Sequence, residues 1–547
     1  MSTVNIKING YDYTMKKGIT ILDASFEKMK FKREFMNQPV PTLYYLKGVN
    51  DIDESGVCVV EVDGQVVNAS TTRIKEGMEI QTKTPAVMAA RKAALTAILE
   101  THNKDCLNCF RSETCELQTL LHEYGFTDEA ENKAKPELLE LDTTSVVLVR
   151  DNSKCIKCKR CINACAKLQA VSAIVATGKG LDTVVQPSSP AGLAAASCVN
   201  CGQCVAVCPV GALYEKDSTA AVKAALADEE KYVVVQVAPA VRATLGETFE
   251  FPVGIDVEGR IAAACRKLGF DKVFDTSFAA DLTIMEEVNE LVGRIENDGV
   301  LPMITSCCPG WIKYAEHFYP DMLDNISTCK SPQQMFGSVA KSYLAEKLGV
   351  AKENMVVVSV MPCTAKKFEL TREELQDVDI SITTNELGKM LKEAEIQLAA
   401  LPNEKFDDLM GEGTGAAVIF GATGGVMEAA LRVAGKDVKG IAVSGLAKAN
   451  ELLSKVKAGE VEYDFIEIMA CPGGCVNGGG QPYQPASVQV LTDVIGDRAA
   501  ALHKNDEEKD VRRSDENTSV KVLYDEYLGA PGSEKAHALL HTSYSPR

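Results

Sequence analysis

Two cysteine runs of one spacing constrain this chain more than any other feature. Cys155, Cys158, Cys161 and Cys165 are spaced C-x2-C-x2-C-x3-C, and Cys198, Cys201, Cys204 and Cys208 repeat that spacing, with Pro209 following. A run of this kind wraps three thiolates round one [4Fe-4S] cubane and sends the fourth to the other. The expected sets are therefore Cys155, Cys158 and Cys161 with Cys208, and Cys198, Cys201 and Cys204 with Cys165. Two structural zinc sites are the alternative. Two matched thiolate runs without a histidine are much more typical of iron–sulfur clusters.

The composition agrees with metal-bound rather than disulfide-bonded cysteine. The 547 residues hold 19 cysteines, and the start of the chain lacks the apolar stretch of a secretory signal. A cytoplasmic protein is expected. The net charge of -18 argues against a nucleic-acid partner. No apolar run reaches the ~18 residues of a membrane helix, so no membrane insertion is expected. The length calls for several domains.

Residues 1–83 read as a small β-rich domain, with turn signals at Asn9-Gly10 and Asp63-Gly64. Thr84 to Glu100 reads as a helix. A polar stretch, Asp128 to Pro136, separates two cysteine-rich segments. From Tyr232 the texture becomes α/β. Val233–Val237, Met355–Val360 and Ala416–Phe420 read as buried parallel strands, and Asp281 to Glu296 as a helix. Lys504 to Asp515 reads as a solvated connection, followed by two short helices, Val520 to Leu528 and Ser533 to Leu540.

Two further constellations carry metal-ligand chemistry. His102, Cys106, Cys109 and Cys115 offer one imidazole and three thiolates. Alone the set suits zinc as well as iron; beside two cubanes, a third [4Fe-4S] cluster is the better reading. The other constellation is spread through the α/β region. Cys307 and Cys308, Cys363, and Cys471 with Cys475 each follow an apolar strand-like run, and open α/β sheets place their ligands at such strand ends. Gly478-Gly479-Gly480 allows close backbone approach to something bulky.

The segments TSCCPGW (305–311), MPCTAKKFE (361–369) and EIMACPGGCVNGGGQP (467–482) resemble the three signatures of [FeFe]-hydrogenases, and the resemblance covers nearly the whole chain. It implies a multidomain protein. Residues 1–83 would be a β-grasp ferredoxin-like domain and 84–145 the domain with one His and three Cys. Residues 146–225 would be a two-cubane ferredoxin-like α+β domain, and 226–547 a two-lobed α/β hydrogenase domain. It implies reversible interconversion of protons, electrons and H2 at an H-cluster, a [4Fe-4S] cubane bridged to a diiron centre carrying CO, CN⁻ and a dithiolate. By that resemblance Cys308, Cys363, Cys471 and Cys475 hold the cubane and Cys475 bridges to the diiron unit. Cys307 exchanges protons, and Glu287, Ser327 and Glu290 continue the proton route. Lys366 reaches a cyanide, while Pro239, Gln333, Met361 and Met469 line or cover the site.

The sequence departs from the resemblance twice. The larger family members begin with a [2Fe-2S] domain held by four cysteines. Here those positions read Tyr44, Ser55, Cys58 and Ser70, and one thiolate cannot hold such a cluster. The expectation is three accessory [4Fe-4S] clusters and no [2Fe-2S] cluster, with the domain left as a docking platform. The second departure is a short connection from Val433 to Gly440, where family members carry more chain. The implied partners are a ferredoxin or iron–sulfur electron-transfer subunit, and the hydrogenase maturation proteins.

Overall fold

The computed structural model describes residues 2–29, 40–126, 141–179, 182–435 and 437–547. The polar stretch Asp128 to Pro136 lies outside them.

The N-terminal region is a five-stranded mixed sheet, ordered β2-β1-β5-β3-β4. Its strands are β1 (Thr3–Ile8), β2 (Tyr11–Lys16), β3 (Val59–Val62), β4 (Gln65–Asn68) and β5 (Glu79–Gln81). Asn9-Gly10 and Asp63-Gly64 close its two hairpins with positive φ at both residues, the geometry that matches strand twist. Alternation along β1 turns Val4, Ile6 and Ile8 onto helix Ile21–Met29 and the core. Helix Pro85–Leu99 follows, its start fixed by the Thr84 hydroxyl and Pro85.

The duplicated cysteine region is built from two antiparallel pairs. β6 (Leu148–Arg150) lies on β9 (Leu213–Glu215), and β7 (Ile174–Thr177) on β8 (Val184–Pro187).

The remainder carries two parallel sheets. One has β10 (Tyr232–Val237), β11 (Lys272–Asp275), β13 (Met355–Met361) and β14 (Ile380–Thr383), in the order β11-β10-β13-β14. The other has β12 (Met303–Ile304), β15 (Gly440–Ser444) and β16 (Phe465–Met469), in the order β12-β16-β15. β10 shows why it must be central. Val233, Val235 and Val237 enter one core and Val234 the core on the opposite face, so the run is apolar on both sides. Each buried valine contributes roughly 1.5 kcal/mol or more of transfer free energy. Gln236 breaks the apolar run, and its neighbour in register on β13 is Ser359.

Ala416–Phe420 is not a strand: it is the helix Gly415–Val418 continued by a 3-10 turn, Ile419–Gly421. A short apolar run suits a buried helix as well as a strand, and here it packs against helix Val494–Glu508. Nor is Lys504 to Asp515 simply a solvated connection. Helix Val494–Glu508 runs through it, and buried Asp506 accepts from Arg432 at 2.7 and 2.8 Å and from Arg512 at 2.6 Å. The short connection after Arg432 does not disturb its surroundings. Helix Gly425–Ala434 leads to β15, which pairs with β16 along its whole length.

Helix Ser277–Glu296 anchors the C-terminal segment. Buried Asp281 accepts from the Thr414 N–H and hydroxyl (both 2.7 Å), Ser514 Oγ (2.6 Å) and Asn517 Nδ2 (2.8 Å). Among the described residues, no helix is long and apolar enough to cross a membrane.

Candidate active site and its iron–sulfur relay

The three cysteine motifs converge from the carboxyl ends of β12, β13 and β16. Cys308 is the residue before helix Pro309–Phe318, Cys363 follows β13, and Cys471 follows β16. Cys475 opens a short turn after Gly474, whose φ of +92° is open to glycine; a Cβ there would sit 2.7 Å from the Thr423 nitrogen. The four thiols face one another: Cys475 feels Cys308 and Cys363, and Cys471 hydrogen-bonds Cys363 and feels Cys308. Burial and then repulsion push the Cys308 and Cys475 thiols up; the hydrogen bond to Cys363, then burial, pushes Cys471 up, and the same bond lowers Cys363. Four thiols, two buried and two half-buried, that cannot all ionise together call for a cation or a cationic iron core.

Cys307 stands apart from that set. Its thiol is pushed well up by burial and by the carboxylate of Glu287, so it carries its proton. Glu287 is pushed up to about 8, by burial first and then by Glu290. Ser327 and the Ser306 N–H lie closest to its carboxylate, but neither makes a well-formed hydrogen bond to it, and both oxygens are buried without a partner. From Ser327 the path is continuous: Ser327 Oγ donates to Glu290 Oε2 at 2.9 Å, and Arg294 donates to Glu290 Oε1 at 2.6 Å. Glu287, Glu290 and Arg294 fall on one face of helix Ser277–Glu296, as their i, i+3 and i+4 spacing requires.

Lys366 Nζ donates to the Cys307 carbonyl at 3.0 Å and is held by Glu369 at 3.2 Å. Gln333 lies in the same network. Its Oε1 accepts from Ser359 at 2.7 Å, and its Nε2 donates to Glu369 at 2.7 Å and to the Lys366 carbonyl at 3.3 Å. Gln236 is spent the same way, donating to the Gln333 carbonyl at 2.9 Å. Pro239 is buried at the start of the helix after β10, and Met361 and Met469 end β13 and β16. Gly478 and Gly479 lie against backbone, and Gly480 lies against the Thr383 side chain. A Cβ on Gly478 would meet the Pro362 carbonyl at 2.2 Å, and one on Gly479 would meet the Gly202 Cα at 2.5 Å.

That last contact joins the site to the duplicated runs. Cys471 faces the Cys201 carbonyl at 3.9 Å, Thr364 donates to the Asn200 carbonyl at 2.7 Å, and Gln203 donates to the Asn477 carbonyl at 2.9 Å. The eight thiols of the runs lie close to one another. Cys161 feels Cys158, Cys155 and Cys208; Cys204 feels Cys198, Cys201 and Cys165, and also Cys161. Farther out, Cys115 feels Cys109 and Cys106. Buried His102 is pushed down to about 4, chiefly by burial and then by Lys154, so its imidazole is neutral and ligand-competent. Gly211 lies against both Cys109 Sγ and Lys154.

Comparison with known proteins decides the family. The description "Iron only hydrogenase large subunit, C-terminal domain" matches residues 231–479, and "Iron hydrogenase small subunit" matches 492–547. The NADP-reducing hydrogenase subunit HndD of Solidesulfovibrio fructosivorans is 44% identical, over 100% of both chains. Iron hydrogenase 1 of Clostridium pasteurianum is 41% identical, over 98% of this chain and 99% of its own. This chain belongs to the iron-only hydrogenase family. A solved variant of the [FeFe]-hydrogenase HydA1 from Chlamydomonas reinhardtii is 40% identical, with a TM-score of 0.53, covering 60% of this chain and 98% of its own. The hydrogenase also carries a match to a 4Fe-4S dicluster domain at 154–212 and to a 2Fe-2S iron–sulfur cluster binding domain at 1–85. Residues 91–130 match the NADH-ubiquinone oxidoreductase-G iron–sulfur binding region.

For the 2Fe-2S match, the fold is present but its ligands are not. Cys58, Ser55 and Ser70 gather round Asp53, which is fully buried. Asp53 Oδ2 accepts from three consecutive backbone N–H groups, Leu43 (2.7 Å), Tyr44 (2.9 Å) and Tyr45 (3.0 Å). Its Oδ1 accepts from the Ser55 N–H at 2.9 Å and from the Ser55 hydroxyl. Tyr44 turns away and donates to the Ile156 carbonyl at 2.5 Å. One thiol and one carboxylate spent on the loop do not fit a [2Fe-2S] cluster.

Sequence reasoning missed Asp53, which sits among surface-like acidic residues. It also missed Arg160. That fully buried guanidinium donates to the Leu43 (3.0 Å) and Tyr45 (2.7 Å) carbonyls and bidentately to Glu116 at 2.8 and 2.9 Å. Glu116 in turn accepts from Tyr483 Oη and from the Ala486 N–H at 3.1 Å. One ion pair thus ties the N-terminal loop, the segment after Cys115, the first cysteine run and the catalytic region together.

Proposed function

We propose that this [FeFe]-hydrogenase holds its H-cluster on Cys308, Cys363, Cys471 and Cys475. By the same reading it is fed by three accessory [4Fe-4S] clusters: Cys155, Cys158, Cys161 and Cys208; Cys198, Cys201, Cys204 and Cys165; and His102, Cys106, Cys109 and Cys115. Bound there, the H-cluster would supply the redox equivalents and the open iron coordination position at which the H–H bond is made and broken. The observation that carries the reading is the juxtaposition of four converging thiols with a fifth, Cys307, that keeps its proton and faces Glu287.

The chain's own residues supply three functions. The first is proton delivery. Glu290 receives a proton at the protein edge and passes it through the Ser327 hydroxyl to Glu287, which hands it to Cys307. A carboxyl raised toward neutrality beside a thiol is well matched for transfer in either direction. The second is anion binding: Lys366, oriented by Glu369, places a cation at the edge of the site for a cyanide. The third is wiring. The Gly202–Gly479 contact brings the Cys201 loop against the site with no side chain between.

The N-terminal domain is a redox-silent β-grasp platform, because Asp53 holds the loop that a cluster would otherwise organise. Electrons then arrive from a ferredoxin or an iron–sulfur partner subunit at the His102 site or at the cubane of Cys155, Cys158, Cys161 and Cys208. Infrared spectroscopy of anaerobically matured protein tests the assignment. CO and CN⁻ bands that vanish in Cys475→Ser and persist in Cys307→Ser support it. Bands lost in Cys307→Ser and kept in Cys475→Ser overturn it.

A further inference from the structure

The proton relay has a side branch that the path from Glu290 to Cys307 does not use. Glu290 Oε2 contacts the Thr328 hydroxyl at 3.2 Å and accepts from the Thr328 N–H at 3.0 Å. Thr328 Oγ1 lies 2.7 Å from His541 Nδ1, and His541 Nε2 lies 3.1 Å from Glu286 Oε2. Glu286, itself fully buried, also accepts from Tyr524 Oη and from the Gly532 N–H at 2.8 Å. An unbroken line of polar contacts therefore joins the relay carboxylate to a buried histidine–carboxylate pair.

Counting hydrogens along this line shows two states. In the first, Thr328 donates to Glu290, so His541 Nδ1–H must donate to Thr328. His541 Nε2 and Glu286 Oε2 then need a further proton between them, or two lone pairs would face each other. In the second, Thr328 donates to His541 Nδ1, Nε2–H donates to Glu286, and the hydrogen between Thr328 and Glu290 belongs to a protonated Glu290. In the second state Thr328, His541 and Glu286 together hold one proton fewer, and Glu290 holds it. Passing from the first to the second moves the Thr328 hydrogen to Glu290 and the Nδ1 hydrogen to Thr328, so one proton is delivered to the relay and none is lost.

We infer that His541 and Glu286 form a proton store, loaded and emptied through the Thr328 hydroxyl, that buffers Glu290 during turnover. The inference rests on the reading of Glu290, Ser327, Glu287 and Cys307 as the proton path.

The groups facing the imidazole are Glu286 and Glu290 from helix Ser277–Glu296, Cys329 from the 327–330 segment, Tyr524, and His537 on its own helix, stacked at 4.6 Å. Arg294 holds Glu290 from its far side, and nearby Lys330 is paired with Asp377 at 2.8 Å. Donor atoms of Glu290, Cys329 and His541 lie within 4.8 Å of one another, as in a metal site, but both imidazole nitrogens are already engaged by Thr328 and Glu286. The C-terminal segment is also held without the His541 side chain. Backbone bonds from Thr542 N–H to the Thr328 carbonyl (2.7 Å) and from Lys330 N–H to the Leu540 carbonyl (2.8 Å) hold it.

His541→Gln keeps a donor for Glu286 and an acceptor for Thr328 but cannot take up a proton. Its H2-evolution rate with reduced methyl viologen should match the parent near pH 6 and fall at least about threefold below it near pH 8.5, where proton supply limits, with KM for the dye unchanged. Thr328→Val should give the same profile, Thr328→Ser should restore it, and the double variant should be no worse than either single one. An unchanged profile, or a loss equal at every pH, overturns the store. A measurement without turnover separates this inference from the functional reading. In 15N-histidine NMR of the full chain, His541 should lose its Nδ1 hydrogen and become the Nε2–H tautomer as pH rises from about 6 to about 8.5, as emptying the store requires. Because the loaded state carries hydrogen on Nδ1 and the emptied state does not, a 15N spectrum that stays the same across that range would overturn the store even if the protein evolves H2, and absence of H2 evolution with that change present would count against the relay reading instead.

Discussion

Replacing Asp53 by asparagine should unfasten the N-terminal loop without touching catalysis. The Asp53 carboxylate accepts from the backbone of Leu43, Tyr44, Tyr45 and Ser55 and from the Ser55 hydroxyl, all in a fully buried position. Asparagine keeps one oxygen and turns an amide N–H pair toward donors that need an acceptor. At least one backbone N–H is then orphaned, at about 1–3 kcal/mol, and the surviving bonds lose their charge assistance, at about 1 kcal/mol each. The total is about 5–7 kcal/mol, comparable with the lower end of the 5–15 kcal/mol that stabilises a whole domain. Hydrogen exchange followed by mass spectrometry reads it directly, as lost protection at residues 43–45 and 55 while the α/β region is unchanged. Methyl viologen activity should persist. A companion variant restores the site: Tyr44→Cys, Ser55→Cys and Ser70→Cys with Asp53→Gly should gain a [2Fe-2S] signal by EPR, whereas the three cysteines with Asp53 retained should not. Unchanged protection in Asp53→Asn, or a cluster assembled with Asp53 still in place, would refute the reasoning.

Three other substitutions probe the relay and its frame. Cys307→Ser should cut turnover by about two orders of magnitude or more while the infrared bands remain, because a hydroxyl relays protons far less readily than a thiol. Glu287 is pushed up to about 8 and so is protonated below that pH; H2 evolution should decline as pH rises through about 8, and Glu287→Gln should lose most activity at every pH, as a rate–pH profile of both proteins will show. Arg160→Leu should lower stability by about 3–5 kcal/mol, because it leaves buried Glu116 unpaired; a melting curve and iron content after gel filtration check this, and an unchanged melting point would exclude Arg160 as the junction.

Much of this was legible in the chain because spacing dictates it. The expected crossed sets of Cys155, Cys158, Cys161, Cys208 and Cys198, Cys201, Cys204, Cys165 follow from a local wrapping rule, and the two runs lie side by side. Period-2 and two-sided apolar runs gave the strands at Val233 and Met355. Helical spacing placed Glu287, Glu290 and Arg294 on one face. Ala416–Phe420 went wrong because a five-residue apolar run has too little length to show a period. Asp53, Arg160 and His541 were illegible for a different reason. Each acts through groups distant in sequence: Asp53 on a loop ten residues back, Arg160 on Leu43 and Glu116, and His541 on Thr328 and Glu286. Only the tertiary contact shows that such charges are buried and spent.

The most direct test of the account is an anaerobic H2 assay on the matured full-length protein with dithionite-reduced methyl viologen. The account predicts H2 evolution, abolished by Cys308→Ser through loss of the cubane ligand and nearly abolished by Cys307→Ser with the infrared bands intact. A matured protein that shows those bands and evolves no H2, or one whose Cys307→Ser variant turns over at the parent rate, would contradict it.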